Sequence, residues 1–470
     1  MRSLEIPPDE FRRVTEHVTQ LACEYLAGID SRATFPLVSG EGVNHLFRHP
    51  LNEDGLGVKA LDGLREVLEN SRVQNGRFFG YVLGSGEPVA AAADLLASVL
   101  NQNVTAWRSG PAAATLEHTV VGWLAEAIGC SGFHGSLTGG GSPANLMGLA
   151  MAREAKVPAN DTGMAQNVAA VIYASEQVHM SIGKSVALLG LGRQNLRLLP
   201  TDSQFRLIPS ELEDCIVRDR EAGKTPIAIV ASAGTVNTGA IDPLTEIAHI
   251  ARRHGLWLHV DGAYGALAAI AAPERFTGLA LADSLSLDPH KWLYQPLDCG
   301  CLLYRDAAQA RATFSHTGDY ARALTHDPVE GFAFFEESME LSRRFRALKL
   351  WLSLRYHGMR AFRESIRKDL DLAQRLAGAI AATPELELLA PVELSAVCFR
   401  HCGDGSLGED ALNQHNAEIL QRVVRRGRVY LSNATLHGKF CLRACIVNHR
   451  ASEADVDSVI SEVLSAAKAK

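Results

Sequence analysis

Three short apolar runs recur between residues 168 and 260, at Val168–Ala174, Pro226–Ser232 and Leu256–Val260, with helix-forming stretches between them. Strands separated by helices cannot pair as tight hairpins, because each intervening helix forces a crossover. The pattern therefore predicts an α/β fold with a mostly parallel sheet covered by helices, and ligands at the carboxyl ends of its strands. The connection into the third run is well punctuated. Asp242 is placed to cap a helix, Pro243 to open it, Leu244, Ile247 and Ile250 to bury one face, and Gly255 to end it.

The flanks read differently. Residues 8–29 carry Phe11, Val14, Val18, Leu21 and Leu26 at helical spacing, an amphipathic helix far from any core that needs a partner surface to lie on. Residues 30–80 hold Pro36, Pro50, several glycines and a helix at 58–69, which together read as an extended arm. Helices are expected at 88–101, 112–128 and 143–155, and a strand at 299–304. A loop at 317–335 and a long helix at 338–356 follow. From Ala361 a helix, strands at 396–400 and 440–447, and a last helix at 453–467 fit a smaller α+β domain. The expected division is a helical arm over 1–87, a large domain over 88–357 and a small domain over 358–470, in keeping with a length of 470 residues.

Composition removes several classes of function. A net charge of −7 with no basic block gives no support for nucleic-acid or anionic-membrane binding. No apolar run reaches the roughly 20 residues that span a bilayer, and the charged N-terminus is unlike a secretory signal. Nine scattered cysteines are an odd number, and Cys299-Gly-Cys301 and Cys441-x-x-x-Cys445 lack zinc-site spacing, so neither a disulfide framework nor a metal is expected. A reducing cytoplasm is the expected location.

Four features carry chemistry. Gly139-Gly140-Gly141-Ser142 opens a helix, where close backbone approach and the helix N-terminus favour a phosphate. His179, after the turn Ser175-Glu176-Gln177, offers a flat ring for stacking. Asp261 ends the run Leu256–Val260, and a carboxylate at a buried strand tip requires a cation or a capping role. His290-Lys291 follows the alternating stretch Ser284–Asp288, and a partly desolvated amine there is a nucleophile towards an aldehyde. Each feature alone has an ordinary structural explanation. Together they match one ligand, pyridoxal 5′-phosphate, which has a phosphate, a flat ring, a ring nitrogen and an aldehyde. The rival phosphate motifs are weaker. Gly183-Lys184-Ser185 lacks the earlier P-loop glycine, since that position is Val178. The match of Gly139, Gly141 and Ala144 to a dinucleotide fingerprint lacks a clear apolar strand before it.

His259-Val260-Asp261-x-Ala263-Tyr264, Asp288-Pro289-His290-Lys291-Trp292 and Ala231-Ser232-Ala233-Gly234-Thr235 resemble the group II pyridoxal-phosphate decarboxylases, the aromatic-L-amino-acid and glutamate decarboxylase family. The resemblance runs from about Phe78 to Arg450 and includes Ser142-x-Ala144-Asn145, Glu176-x-x-His179 and Arg343-Arg344-Phe345-Arg346. It implies an aspartate-aminotransferase-like homodimer with active sites at the subunit interface. It also implies that Lys291 holds the cofactor's aldehyde carbon, Asp261 pairs with the ring nitrogen, and His179 and Ala263 flank the ring. Gly141, Ser142, Ser284 and His290 would surround the phosphate, with Thr235 a further cofactor contact. Tyr81, Val82 and Leu297 match positions lining the substrate side chain, an apolar set that favours an aromatic or other apolar amino acid over glutamate.

Two departures from the family pattern matter, the first as the loss of one cofactor or substrate contact and the second for the product. Thr235-Val236 stands where relatives commonly carry two threonines. The loop before Arg343 holds Phe332, Phe334 and Phe335 where the family often supplies a proton-donating tyrosine, with Tyr320 well upstream. Loss of that tyrosine would favour oxidative deamination to an aldehyde over release of the amine. Other His-Lys enzymes fit less well. A cysteine desulfurase needs a reactive loop cysteine, and none lies between Cys301 and Cys398. A sphingosine-phosphate-type lyase usually carries a membrane anchor, and a non-catalytic cofactor-binding regulator would not need Lys291, Asp261 and His179 together.

Overall fold

The computed structural model describes residues 4–51, 53–164, 169–316, 327–403 and 405–469. Seven strands form the large sheet: β1 His134–Thr138, β2 Ala170–Ser175, β3 Leu196–Leu199, β4 Thr225–Ser232, β5 Trp257–Asp261, β6 Ser284–Leu287 and β7 Gly300–Tyr304. Their order is β1-β7-β6-β5-β4-β2-β3. Pairs from β3 through β6 are parallel, and β7 is antiparallel to both β6 and β1. Only β7 therefore runs against the rest. The carboxyl ends of β1, β2, β4, β5 and β6 share one edge, where the five segments bearing the predicted site residues emerge.

Burial explains why these runs are strands. Ile227 to Ala231 in β4 are fully buried, as expected of a central parallel strand covered on both faces. Ile227, Ile229 and Val230 each contribute roughly 1.5–3 kcal/mol on leaving water. A strand, β1, does lead into Gly139, although not the clear apolar one that the sequence lacks there. Its sequence is His-Gly-Ser-Leu-Thr, with Leu137 as its single large aliphatic residue, so periodicity is weak. Pairing with β7 and packing on the helix Pro111–Ala127 supply what composition does not.

The helix Leu244–Arg253 buries Leu244, Ile247, Ile250 and Ala251 as its spacing demands, but Asp242 does not cap it. The Asp242 carboxylate instead accepts from Leu207 N–H and Ser232 N–H at 2.7 Å each. The helix expected at 338 begins at Ala347. The intervening residues spend their side chains on tertiary ion pairs, the fully buried Arg343 with Glu117 and Arg346 with Asp298 and Glu340.

The helix Ala347–Ala381 kinks at Gly358, whose φ of 73° and ψ of 153° break helical geometry. We propose the boundary between the large and small domains at this kink. Beyond it, β8 Leu386–Leu388, β9 Ala396–His401, β10 Ser432–Leu436 and β11 Lys439–Cys445 form an antiparallel sheet in the order β10-β11-β9-β8. A second core, including Leu376, Phe399, Ile419 and Val456, fills the space beneath its helices. Phe79 from the arm joins that core, so the arm is stitched to the small domain.

Candidate active site

The carboxyl edge of the large sheet opens into a cavity of about 780 Å³. It is lined by Gly141, Ser142, His179, Thr235, Asp261, Ala263, His290 and Lys291, and on another side by Tyr81, Val82 and Leu297. Eleven of the twelve residues expected at the site therefore meet in one place. Ser284 does not. It starts β6, opposite His259 and well back from the carboxyl edge, fully buried, and its hydroxyl accepts from Trp257 Nε1 and meets His259 Nδ1. The position is too deep for a phosphate contact.

Lys291 follows directly from the end of β6. Its Nζ lies 2.9 Å from Asp288 Oδ2, and the other oxygen of that buried carboxylate, Oδ1, has no hydrogen-bond partner among the described residues. His290 stands 3.5 Å from the same Oδ2, and its Nδ1 accepts from Cys299 N–H. Burial holds the His290 imidazole below its usual pKa.

Asp261 is held by three donors. Asn145 Nδ2 reaches Oδ2 at 3.0 Å, and Ser286 Oγ and Ala263 N–H reach Oδ1 at 3.1 and 3.2 Å. A carboxylate so fixed cannot turn away from the cavity. His179 Nδ1 accepts the Ser181 amide at 3.2 Å and meets the Ser181 hydroxyl at 2.8 Å, which places the ring proton of the neutral imidazole on Nε2. Burial, reinforced by the charge of Lys291 and opposed by Asp261, lowers the His179 pKa.

One residue ties these anchors together. Asn145 donates to both Asp261 and Ser181, and its Oδ1 lies 2.9 Å from His259 Nε2. His259 is fully buried, with its pKa pushed down to about 4 by desolvation, and so stays neutral. The donors and acceptors run in one sense from Trp257 through Ser284, His259, Asn145 and Ser181 to His179. Sequence reasoning placed Asn145 in a motif without a role, because its partners lie far away in sequence. Its position four residues after Gly141, one helical turn into the cradle helix, is the signal that points it at the strand tips.

The phosphate end is prepared by backbone. The helix Gly141–Lys156 has no side-chain cap, so its first amides are open to an anion. Gly141 sits between Ala263 and Asp288 so tightly that a Cβ would lie 2.6 Å from the Ala263 methyl carbon. The site therefore fits pyridoxal phosphate at each end: uncapped amides for the phosphate, Asp261 for the ring nitrogen, His179 and Ala263 for the ring, and an amine for the aldehyde.

The substrate side is built otherwise. Leu297 and Tyr81 are exposed by 58% and 51%, and they come from a loop and from the arm. Asp298 beside Leu297 is held by Arg344 and Arg346. Phe332, Phe334 and Phe335 do not line this cavity. Phe334 is fully buried beneath Arg343, with His118 against both Phe332 and Phe334. Tyr320 lies outside the described residues.

Residues 64–402 match the family described as the pyridoxal-dependent decarboxylase conserved domain. An aromatic-L-amino-acid decarboxylase of Bacillus atrophaeus is 33% identical, covering 99% of this chain and 97% of that protein. A phenylacetaldehyde synthase of Petunia hybrida is 29% identical over 94% of this chain and 91% of that protein. The crystal structure of Oryza sativa TDC with PLP and tryptamine superposes with a TM-score of 0.92 at 27% identity, covering 99% of each chain.

Proposed function

We propose that this chain, which belongs to the pyridoxal-dependent decarboxylase family, removes CO₂ from an aromatic L-amino acid and releases the corresponding amine. The enzyme is a carboxy-lyase and its cofactor is pyridoxal 5′-phosphate. One observation carries the reading: Lys291 and the rigidly held Asp261 face a single cavity with an uncapped helix N-terminus at its other end.

The bound cofactor supplies an electron sink for the pair left behind when CO₂ departs. The chain's own residues do the rest. Lys291 supplies the amine that anchors the aldehyde, and when free its ammonium is stabilised by Asp288. Asp261, unable to rotate, would hold the ring nitrogen and favour its protonated form. His179 and Ala263 would flank the ring, and the His179 proton on Nε2 is available within the cavity.

The apolar part of the cavity's lining supports an apolar substrate. Val82, Leu297, Val236, Pro143 and Met180 are among the residues that line the cavity. Arg443 also lines it, but its Nε, Nη1 and Nη2 donate to the carbonyls of Asn237, Tyr81 and Val236 and to the Ser432 hydroxyl. Four of the five guanidinium N–H groups are thus spent on neutral acceptors, which leaves an acidic side chain such as that of glutamate without a free bidentate partner there. The phenylacetaldehyde synthase among the relatives favours a second reading, decarboxylation coupled to oxidative deamination. Purified, cofactor-loaded protein given each standard amino acid tests both. Equal CO₂ and amine from an aromatic amino acid supports the first reading. Peroxide and ammonia in step with CO₂ supports the second, and no CO₂ refutes both.

The working unit we propose is a cytoplasmic homodimer. Phe11, Val18 and Leu26 on the first helix, and Leu95, Leu96, Val99 and Leu100 on the helix Pro88–Leu100, are exposed in the single chain. A surface this apolar suits a second copy. All nine cysteines are free thiols, as a reducing compartment allows. Among the described residues no helix is long and apolar enough to cross a membrane. Light scattering that gave one chain's mass at working concentration would refute the dimer.

A further inference from the structure

Tyr81 has two sides. With Ser432 and Asn433 it lines the active-site cavity, and the same three residues line a second cleft of about 330 Å³ walled by Leu420, Val424 and Arg425. Tyr81 is a partition between the two spaces.

Its backbone adopts a φ of 61°, in the left-handed region that a tyrosine rarely occupies. Local contacts hold it there. Its N–H donates to Ser432 Oγ at 3.3 Å and its carbonyl accepts from Arg443 Nη1 at 3.3 Å. Among the described residues the hydroxyl of this half-exposed ring has one hydrogen-bond contact, at 3.2 Å from the hydroxyl of Tyr430.

Tyr430 is firmly seated. Its ring stacks on Phe78 with centroids 4.9 Å apart. Gly80 lies so close beneath the ring that any Cβ there would collide with it. The Arg72 guanidinium lies 4.6 Å from the Phe78 ring centroid and 5.3 Å from that of Tyr81. The backbone is tied to the arm as well: Tyr430 N–H donates to Arg77 O and Phe79 N–H donates to Tyr430 O. Burial and the Tyr81 hydroxyl push the Tyr430 phenol up to about 12, so it remains protonated through the working range. A fixed tyrosine thus tethers one whose own surroundings leave room to swing.

We propose that Tyr430 is a positioning residue that holds Tyr81 as the wall between the two spaces, and so limits the length of side chain the active site accepts. The inference rests on the decarboxylase reading above. Without the tether the Tyr81 ring can rotate, and the cavity gains access to the cleft beside Leu420 and Val424. Long side chains then profit while compact ones gain nothing.

The test compares kcat and KM for CO₂ release from phenylalanine, tyrosine, tryptophan and homophenylalanine. It uses the cofactor-loaded wild type, Tyr430→Phe, Tyr81→Phe and the double variant. Each substitution keeps the ring and deletes one hydroxyl. The homophenylalanine-to-phenylalanine ratio of kcat/KM should rise about five-fold in each single variant, the size of effect one net hydrogen bond gives, and mainly through KM. The double variant should match the singles, because all three remove the same contact. A merely structural role would lower every substrate together and leave the ratio unmoved. An unchanged ratio in loaded protein, or effects that add in the double variant, overturns the inference. If Tyr430→Phe loses cofactor, Tyr81→Phe carries the comparison alone. If the wild type releases CO₂ from nothing, the decarboxylase reading falls. The partition is then judged by dissociation constants for the same four amino acids, read from the change each makes in the cofactor's visible absorption.

Discussion

The two walls of the active-site cavity are made in opposite ways. The cofactor wall rises from the tips of parallel strands, where Asp261 and Asn145 are buried and the side-chain polar atoms of these two residues are each committed to a named partner. The substrate wall is gathered from the arm, a loop and the small domain, with Tyr81 and Leu297 more than half exposed. The first is rigid because breaking any of its hydrogen bonds strands a buried polar group. The second can be remodelled without unfolding anything. This contrast suits an enzyme whose chemistry is fixed and whose specificity drifts, because binding pockets change by small increments of area and contact.

Substitutions can break the contrast. Lys291→Ala should cost the most, at least about 10³-fold in kcat, together with the visible absorption of the bound cofactor, because it deletes the nucleophile itself. A variant keeping that band would refute the assignment. Asp261→Asn keeps the shape and removes the charge. We expect a loss of roughly 10²–10³-fold in kcat, as for removal of one preorganised electrostatic group, measured at saturating cofactor. Asn145→Ala should cost about 10-fold by loosening Asp261 and His179 together, with weakened cofactor affinity, in the range seen for outer-shell partners. If its effect were confined to thermal stability, the network would be structural only.

A smaller effect is expected from pH. Burial lowers the folded pKa of His179 below that of the unfolded chain, about 6.5. As pH falls below about 6.5 the unfolded chain takes up the proton first, so stability declines until the folded pKa is passed and is flat below it. On the acid side kcat/KM should fall with a pKa under 6.5. His179→Phe, which keeps a flat ring without a titrating group, should lose that limb, and an unchanged limb would count against the role of His179. The smallest change belongs to the substrate wall. Leu297→Ala should alter KM for aromatic substrates by about 10-fold or less and leave kcat within roughly two-fold. A large loss of kcat there would erase the distinction between the walls.

The same contrast governs what the sequence could reveal. Strand-tip chemistry is legible because a strand end, a glycine-rich turn and a lysine after a proline are local patterns. Lys291, Asp261, His179 and the Gly141 cradle could therefore be found along the chain, and they do meet in one cavity. Ser284, which the resemblance implied as a phosphate contact, lies outside the cavity lining, because depth along a strand is set by register, and the register pairs it with His259. The strand β1 escaped notice because neighbours, and not its own residues, bury it. Asn145 was visible only as a motif letter, since its partners at Ser181, His259 and Asp261 are 36 to 116 residues away. The helix start at Ala347 was missed for a related reason. Arg343 is drawn out of helical geometry by Glu117, 226 residues distant.

If the cofactor wall is organised for Lys291 to hold the aldehyde of pyridoxal phosphate, the bond between them can be trapped. Borohydride reduction of the cofactor-loaded protein fixes the cofactor to whichever side chain holds it, and peptide mass mapping then identifies that residue. A single modified peptide is expected, carrying the cofactor's mass on Lys291. Modification of Lys184 or Lys349 instead, or reduction that leaves no residue labelled, would contradict it.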